Sequence, residues 1–132
     1  MRIFFDENLS EYVAQAFNLL SKDYFPDIEI VSTKIEIGRG AIDEVIIPFI
    51  GRERGVLLTL DKGIAHSQVH YQLCKENKVA VISIKLEKGS QRFWDMIIFL
   101  IKHWEKIIEK VKTLNSPYII RVGRKYVTKL PD

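Results

Sequence analysis

The sequence contains a single cysteine, Cys74, so a disulfide bond within the chain is excluded and a reducing compartment is expected. It also lacks a long apolar run, because the longest uncharged one, MIIFLI at 96–101, is far too short to span a bilayer. Between Arg2 and the first acids lie only three apolar residues, too few for the core of a secretory signal. We therefore expect a cytoplasmic protein with no membrane partner.

The size and composition are those of an ordinary globular protein. The 132 residues predict one domain spanning 1–132, and 47% of them are hydrophobic and 28% charged. The net charge of +3 is uneven: residues 1–87 carry 10 basic and 13 acidic residues, whereas residues 88–132 carry 10 basic and 4 acidic. A basic C-terminal third suits a polyanionic partner, and a solvated basic helix and tail is the alternative.

Short apolar segments alternate with amphipathic ones along the chain. The segments that predict strands are RIFF (2–5), IEIVSTKI (28–35), GVLLTL (55–60), VAVISI (79–84) and a terminal hairpin over 118–130 that turns near Gly123-Arg124. This alternation predicts an α/β fold: a single-domain three-layer sandwich with a mostly parallel central sheet, followed by a long C-terminal helix and the hairpin.

Helical spacing appears in four segments between these strands. One helix follows Ser10 as N-cap, and the others are expected at 42–53, at 64–76 and from Gly89-Ser90 to about Lys112. The helix at 42–53 contains Pro48, which predicts a kink or a later start. Its expected inner face comprises Ile42, Val45, Ile46, Phe49 and Ile50. The inner stripe expected for the last helix comprises Phe93, Ile97, Ile101, Trp104, Ile108 and Val111.

Three acids are predicted to meet at one edge of the sheet. Asp6 follows the first strand, and Asp61 follows GVLLTL, so both lie at the carboxyl ends of parallel strands, where ligands bind in such folds. Asp43, or its neighbour Glu44, begins a helix whose N-terminus lies on the same edge. Converging carboxylates repel one another unless a cation neutralises them, and Mg²⁺ and Mn²⁺ prefer carboxylate oxygens. Any one of these acids alone is better explained as a helix cap or as surface charge, and the prediction depends on all three sharing one edge.

The segments RIFFDENLS and GVLLTLDKG, with Asp43 between them, resemble the PIN-domain ribonucleases, in particular the small PIN-like branch that includes toxins of toxin–antitoxin pairs. The likeness runs from residue 1 to about 85. It implies cleavage of single-stranded RNA with Mg²⁺ or Mn²⁺, with Asp6, Asp43 and Asp61 as catalytic metal ligands. It also implies a small antitoxin partner, with a homodimer as a further possibility. Asn8 and Thr59 match polar positions that support the site.

One departure from the family pattern keeps a second interpretation open. Relatives often have a further acid two residues after the TLD acid, where this chain has Gly63. Either Glu7 or Glu44 substitutes for it, or the chain is a non-catalytic binding module with a degenerate site. Consecutive side chains at a strand end point in opposite directions, so only one of Asp6 and Glu7 is expected to face the cleft. The resemblance to the family pattern implies that it is Asp6. Lys85, after a third strand, also allows a receiver-like phosphoacceptor domain as a minor alternative.

Other residues allow two interpretations each. His66, His70 and Cys74 have helical spacing that suits zinc, but a half-buried helix with a core cysteine is favoured. Trp94 and Trp104 are expected in the core, although tryptophans also stack on bases. The hairpin carries a basic, aromatic group that suits RNA or is simply exposed: Arg121, Arg124, Lys125 and Tyr126.

Overall fold

The computed structural model describes residues 1–60, 68–89 and 91–129. The strands are β1 (Arg2–Phe5), β2 (Glu29–Ser32), β3 (Val56–Leu60), β4 (Ala80–Ile84), β5 (Tyr118–Val122) and β6 (Tyr126–Lys129). The helices are α1 (Glu11–Ser21), α2 (Thr33–Glu36), α3 (Asp43–Arg52), α4 (Gln68–Asn77) and α5 (Phe93–Thr113). As predicted, Ser10 caps α1, its Oγ accepting a hydrogen bond from the N–H of Tyr12.

The strands form one six-stranded sheet in the order β2-β1-β3-β4-β5-β6, parallel throughout except for the antiparallel pair β5-β6. Because side chains alternate along a strand, the sheet supplies two cores. Phe5, Leu58 and Ile82 pack on one face with α1 and α5, while Phe4 and Leu57 pack on the other with α3 and α4. The expected α/β architecture, with its long C-terminal helix and hairpin, is confirmed.

The second strand is shorter than the sequence predicts. The segment 28–35 was expected to be extended throughout, but β2 ends at Ser32 and the helix α2 follows at once. The reason is local: Oγ of Ser32 accepts a hydrogen bond from the N–H of Lys34, which caps a helix at that point. The β-branched residues that indicate a strand are therefore shared between β2 and α2.

Helix α3 continues through Pro48 without a break, so the expected later start is wrong. The missing N–H of Pro48 removes a hydrogen bond to the carbonyl of Glu44 only, in the first turns of the helix. Its predicted inner face is also partly wrong, because Ile42 and Val45 are 60% and 51% exposed. The buried residues of α3 are Ile46, Ile47 and Ile50.

Helix α5 begins at Phe93, three residues after Ser90, which lies outside the described residues. Its inner stripe differs from the predicted one, since Phe93 and Ile101 are 48% and 57% exposed. The buried stripe comprises Met96, Leu100, Trp104, Ile107, Ile108 and Val111. The helix has apolar residues on two overlapping stripes, so periodicity alone does not choose between them. Trp104 is buried as expected, whereas Trp94 is 69% exposed and the core prediction for it is wrong.

The parallel order brings the carboxyl ends of β1, β3, β4 and β5 to one edge of the sheet, which we call the carboxyl edge. Helix α3 begins at this edge, because it runs back across the sheet before β3. Within the described parts of the chain, no helix combines the length and apolar character needed to cross a membrane.

Candidate metal centre

Asp6 is held in one orientation at the end of β1. Its backbone N–H donates to the carbonyl of Leu58 at 2.9 Å, which extends the β1-β3 ladder by one residue. Its Oδ2 accepts a hydrogen bond from Oγ1 of Thr59 at 2.8 Å, and its Oδ1 accepts one from the N–H of Glu7 at 2.8 Å. Each carboxylate oxygen still has lone-pair capacity for a further partner. Thr59 is 1% exposed, so its hydroxyl is a fixed buried support for Asp6.

Asp43 is the first residue of α3, and it pairs with His70 in the first turn of α4. The distance from Nε2 of His70 to Oδ2 of Asp43 is 2.7 Å, and both side chains are about three-quarters buried, at 25% and 28% exposed. Helices α3 and α4 pack side by side on the same face of the sheet, which brings the two residues together. His70 therefore fixes the orientation of Asp43 as Thr59 does for Asp6.

The electrostatics connect Asp43 with Asp6. Burial raises the pKa of Asp43 above its usual range, and the neighbouring carboxylates of Asp6 and Glu44 raise it further, while His70 opposes the change. The Asp6 carboxylate at the end of β1 and the Asp43 carboxylate at the start of α3 together form a local excess of negative charge. This excess lies at the carboxyl edge, as the sequence predicts.

Glu7 has surroundings different from those of Asp6. Its two carboxylate oxygens accept hydrogen bonds from the N–H of Gly40 at 2.9 and 3.1 Å. Gly40 has a φ of +74°, a conformation that residues with a side chain rarely adopt. Glu7 thus ties the loop at 38–40 to the end of β1 and directs its charge toward that loop.

The third predicted acid, Asp61, lies outside the described residues, as do Gly63 and His66. Among the residues that are described, no group of three or more His, Cys, Asp or Glu side chains has an arrangement that could hold a metal ion. The described part of the site is therefore the Asp6 and Asp43 pair with its two supports. Asn8 has a buried Oδ1 for which the described residues provide no hydrogen-bond partner.

A row of polar residues crosses the sheet at this edge. Thr59 lies in register with Ser83 of β4, and Ser83 with Arg121 of β5. Residues in register on parallel strands share a face, so the row lies on the face covered by α3 and α4. Ser83 is fully buried, and its Oγ has no hydrogen-bond partner among the described residues. Sequence reasoning missed this row because VAVISI is almost wholly apolar and its one hydroxyl gives no signal.

Cys74 belongs to the core beneath α4. It is 5% exposed, and burial, with a smaller effect of Asp43, raises the pKa of its thiol to about 12. The expectation of a core cysteine is confirmed. His70, by contrast, is no passive surface histidine. Its pairing with Asp43 joins two helices, and helical spacing within α4 gives no sign of such a partner.

The donor set suits a hard divalent cation. Both acids offer oxygen ligands on one edge, each is oriented by a buried or half-buried neighbour, and their mutual repulsion is the kind that a cation relieves. Fold and site together define an α/β domain with an acidic carboxyl edge.

The chain belongs to the PIN-like domain family, whose family model matches residues 1–85. This confirms the resemblance found in the sequence, and membership of the family indicates a nuclease-type function. No curated protein and no solved structure matches the chain. The match extends from β1 to the end of β4, so α5, β5 and β6 lie beyond it.

Proposed function

We propose that this protein is a metal-dependent endoribonuclease that cleaves single-stranded RNA, with Asp6, Asp43 and Asp61 holding Mg²⁺ or Mn²⁺. The observation that carries the proposal is the placement of Asp6: Thr59 fixes its carboxylate at the carboxyl edge, within electrostatic range of Asp43. Membership of a nuclease-type family supports the same conclusion independently.

When bound, a divalent cation supplies Lewis-acid activation of water and of a phosphodiester. The residues of this chain would hold the cation in a fixed position. Thr59 holds Asp6 and His70 holds Asp43, so neither carboxylate has to be ordered when substrate arrives. Glu7 keeps the loop at 38–40 against the end of β1, which defines one wall beside the acids.

The proposal extends to a biological role. The FDENLS and TLDK segments support a cytoplasmic toxin of a toxin–antitoxin pair, restrained by a small antitoxin. Induced expression of the wild-type chain should then arrest growth, whereas Asp6→Asn expressed to the same level should not. Equal arrest by both, or none by either, would contradict this role. A homodimer stays a prediction.

The second candidate is a non-catalytic binding module of the same fold. The feature that favours it is Gly63, which stands where relatives often have a further acid. In that case the Asp6 and Asp43 pair is structural, and the domain binds RNA without cutting it.

Cleavage of a fluorescently labelled single-stranded RNA separates the two candidates. The nuclease should cut in millimolar Mn²⁺, stop when a chelator is added, and be inactive as Asp6→Asn. Cleavage by Asp6→Asn equal to that of wild type would contradict the assigned role of Asp6. RNA that is bound but intact in both proteins would establish the binding module.

A further inference from the structure

A groove lies at the carboxyl edge beside the hairpin, between the segment that follows β4 and the turn that joins β5 to β6. The N–H of Lys85 donates to the carbonyl of Val122 at 2.8 Å, which extends the β4-β5 ladder by one residue past the end of β4. The turn is closed by a hydrogen bond of 3.3 Å from the N–H of Gly123 to the carbonyl of Lys125. Backbone hydrogen bonds therefore hold the two walls of the groove in a fixed position at the end of the sheet.

The groove has a volume of about 460 Å³ and a strongly basic lining. Five of its lining residues are basic: Lys85, Lys88, Arg121, Arg124 and Lys125. Among the described lining residues the one acid is Glu87, which forms an ion pair with Arg124. Lys85 and Lys125 are exposed, so their ammonium groups are accessible to a polyanion in solution. A concave surface with this excess of positive charge attracts phosphate groups.

Arg121 connects the groove with the acids. It lines the groove. It is also the last member of the polar row that runs through Ser83 to Thr59. The hydroxyl of Thr59 in turn donates a hydrogen bond to Asp6. Adjacent strands lie about 4.8 Å apart, so the row spans about 14 Å from β1 to β5. A short extended stretch of single-stranded RNA covers that distance along the edge.

We propose that this groove binds the backbone phosphates of the RNA strand whose scissile phosphate lies at Asp6 and Asp43. The inference rests on the proposed function and adds the path of the substrate, through a part of the chain beyond the family match. An acidic segment of a protein would also be attracted by the lysines. RNA is favoured because Arg121 of the groove lies in register with Ser83 and Thr59, on the same edge and the same face of the sheet as Asp6.

The test is metal-free binding of a 5′-fluorescein-labelled single-stranded RNA to the full chain, measured by anisotropy in chelator over a range of salt concentrations. The groove variant is Lys85→Ala/Lys125→Ala. The matched control is Lys22→Ala/Arg52→Ala, which removes two exposed cations at the ends of α1 and α3, on the opposite edge of the sheet. Both variants change the net charge equally, and thermal melts confirm that both are folded.

The groove variant should bind more weakly at low salt. Each phosphate contact contributes about 0.7 to the slope of log affinity against log salt for single strands, so two lost contacts should reduce the slope by about 1.4. The control should keep the wild-type slope. An unchanged slope in the groove variant, or an equal loss in the control, would overturn the proposal. Displacement of RNA from wild type by polyglutamate at matched charge concentration would point to an acidic protein instead and would overturn it too.

Failure of this inference is distinguishable from failure of the proposed function. If wild type binds RNA through the groove but does not cut it in Mn²⁺, the nuclease proposal fails and the groove stands. If wild type cuts RNA and the groove variant binds and cuts it equally well, the nuclease proposal stands and the groove fails.

Discussion

Nε2 of His70 lies 2.7 Å from Oδ2 of Asp43, across the contact between α4 and α3. Asp43 is the first residue of α3, and Ile42 before it provides no side-chain cap. The histidine restricts the carboxylate of Asp43 to one rotamer and occupies one of its two oxygens. In metal sites, partners of this kind orient the ligand and are themselves required for affinity.

Replacing His70 by alanine should therefore weaken the site without removing a ligand. We expect His70→Ala to lower the affinity for Mn²⁺ and the rate of RNA cleavage by about 10- to 100-fold. Titration calorimetry and a single-turnover cleavage assay measure the two effects. Gln72→Ala, an exposed change on the same helix, is the control and should behave as wild type. Unchanged Mn²⁺ affinity in His70→Ala would assign the pair a purely structural role.

Glu7 should act on the neighbouring loop rather than on the metal. Because its carboxylate accepts from the N–H of Gly40, Glu7→Ala should speed hydrogen exchange at that amide while leaving Mn²⁺ affinity close to that of wild type. Amide exchange measured by NMR and calorimetry give the two readouts. A loss of Mn²⁺ binding as large as that of Asp6→Asn would make Glu7 a ligand.

Glu11 should stabilise the fold at neutral pH and lose this effect in acid. A hydrogen bond from its own backbone N–H, with Arg39 and Lys34, lowers the pKa of Glu11 from 4.5 to about 2. A group whose pKa is lower in the folded state stabilises that state fully above the unfolded value. Its contribution is then lost as the pH falls from about 4.5 toward 2. Melting curves from pH 7 to pH 2 should therefore show a smaller drop in Tm for Glu11→Gln than for wild type. The control Glu105→Gln, on the exposed side of α5, should show the same drop in Tm as wild type. If Glu11→Gln also shows that full drop, the stabilising role of Glu11 is contradicted.

Cys74 should be unreactive in the native protein. Its thiol is buried and its pKa of about 12 leaves very little thiolate at pH 8. Labelling with a thiol-specific disulfide reagent should be slow under native conditions and fast and stoichiometric in denaturant. Fast native labelling would show that α4 opens readily or that the thiol is accessible.

Several features could be predicted from the sequence because local patterns determine them. The runs RIFF, GVLLTL and VAVISI are apolar enough to be strands covered on both faces, and Ser10 marks the start of α1. The parallel order places Asp6, at the end of β1, and Asp43, at the start of α3, on one edge. The resemblance of the segment up to about 85 to PIN-domain ribonucleases is confirmed by the family match.

Other features depend on contacts that no local pattern contains. The support of Asp43 by His70 joins residues on two helices, and the bond from Thr59 to Asp6 joins two strands. The buried stripe of α5 is decided by packing against the sheet, since its apolar residues cover more than one face. Ser32 could have been recognised as a cap, but the β-branched residues around it gave the stronger signal.

The central claim is that Asp6 and Asp43 hold one cation together, and the rise in Tm on adding Mn²⁺ tests it most directly. A ligand that binds only the folded protein at about 100 times its Kd stabilises it by about 2.7 kcal/mol. Wild type should therefore melt several degrees higher in Mn²⁺. Asp6→Asn and Asp43→Asn should each lose most of this rise, and Glu44→Gln, beside Asp43, should keep it. A full rise in Asp6→Asn, or none in wild type, would contradict the shared site.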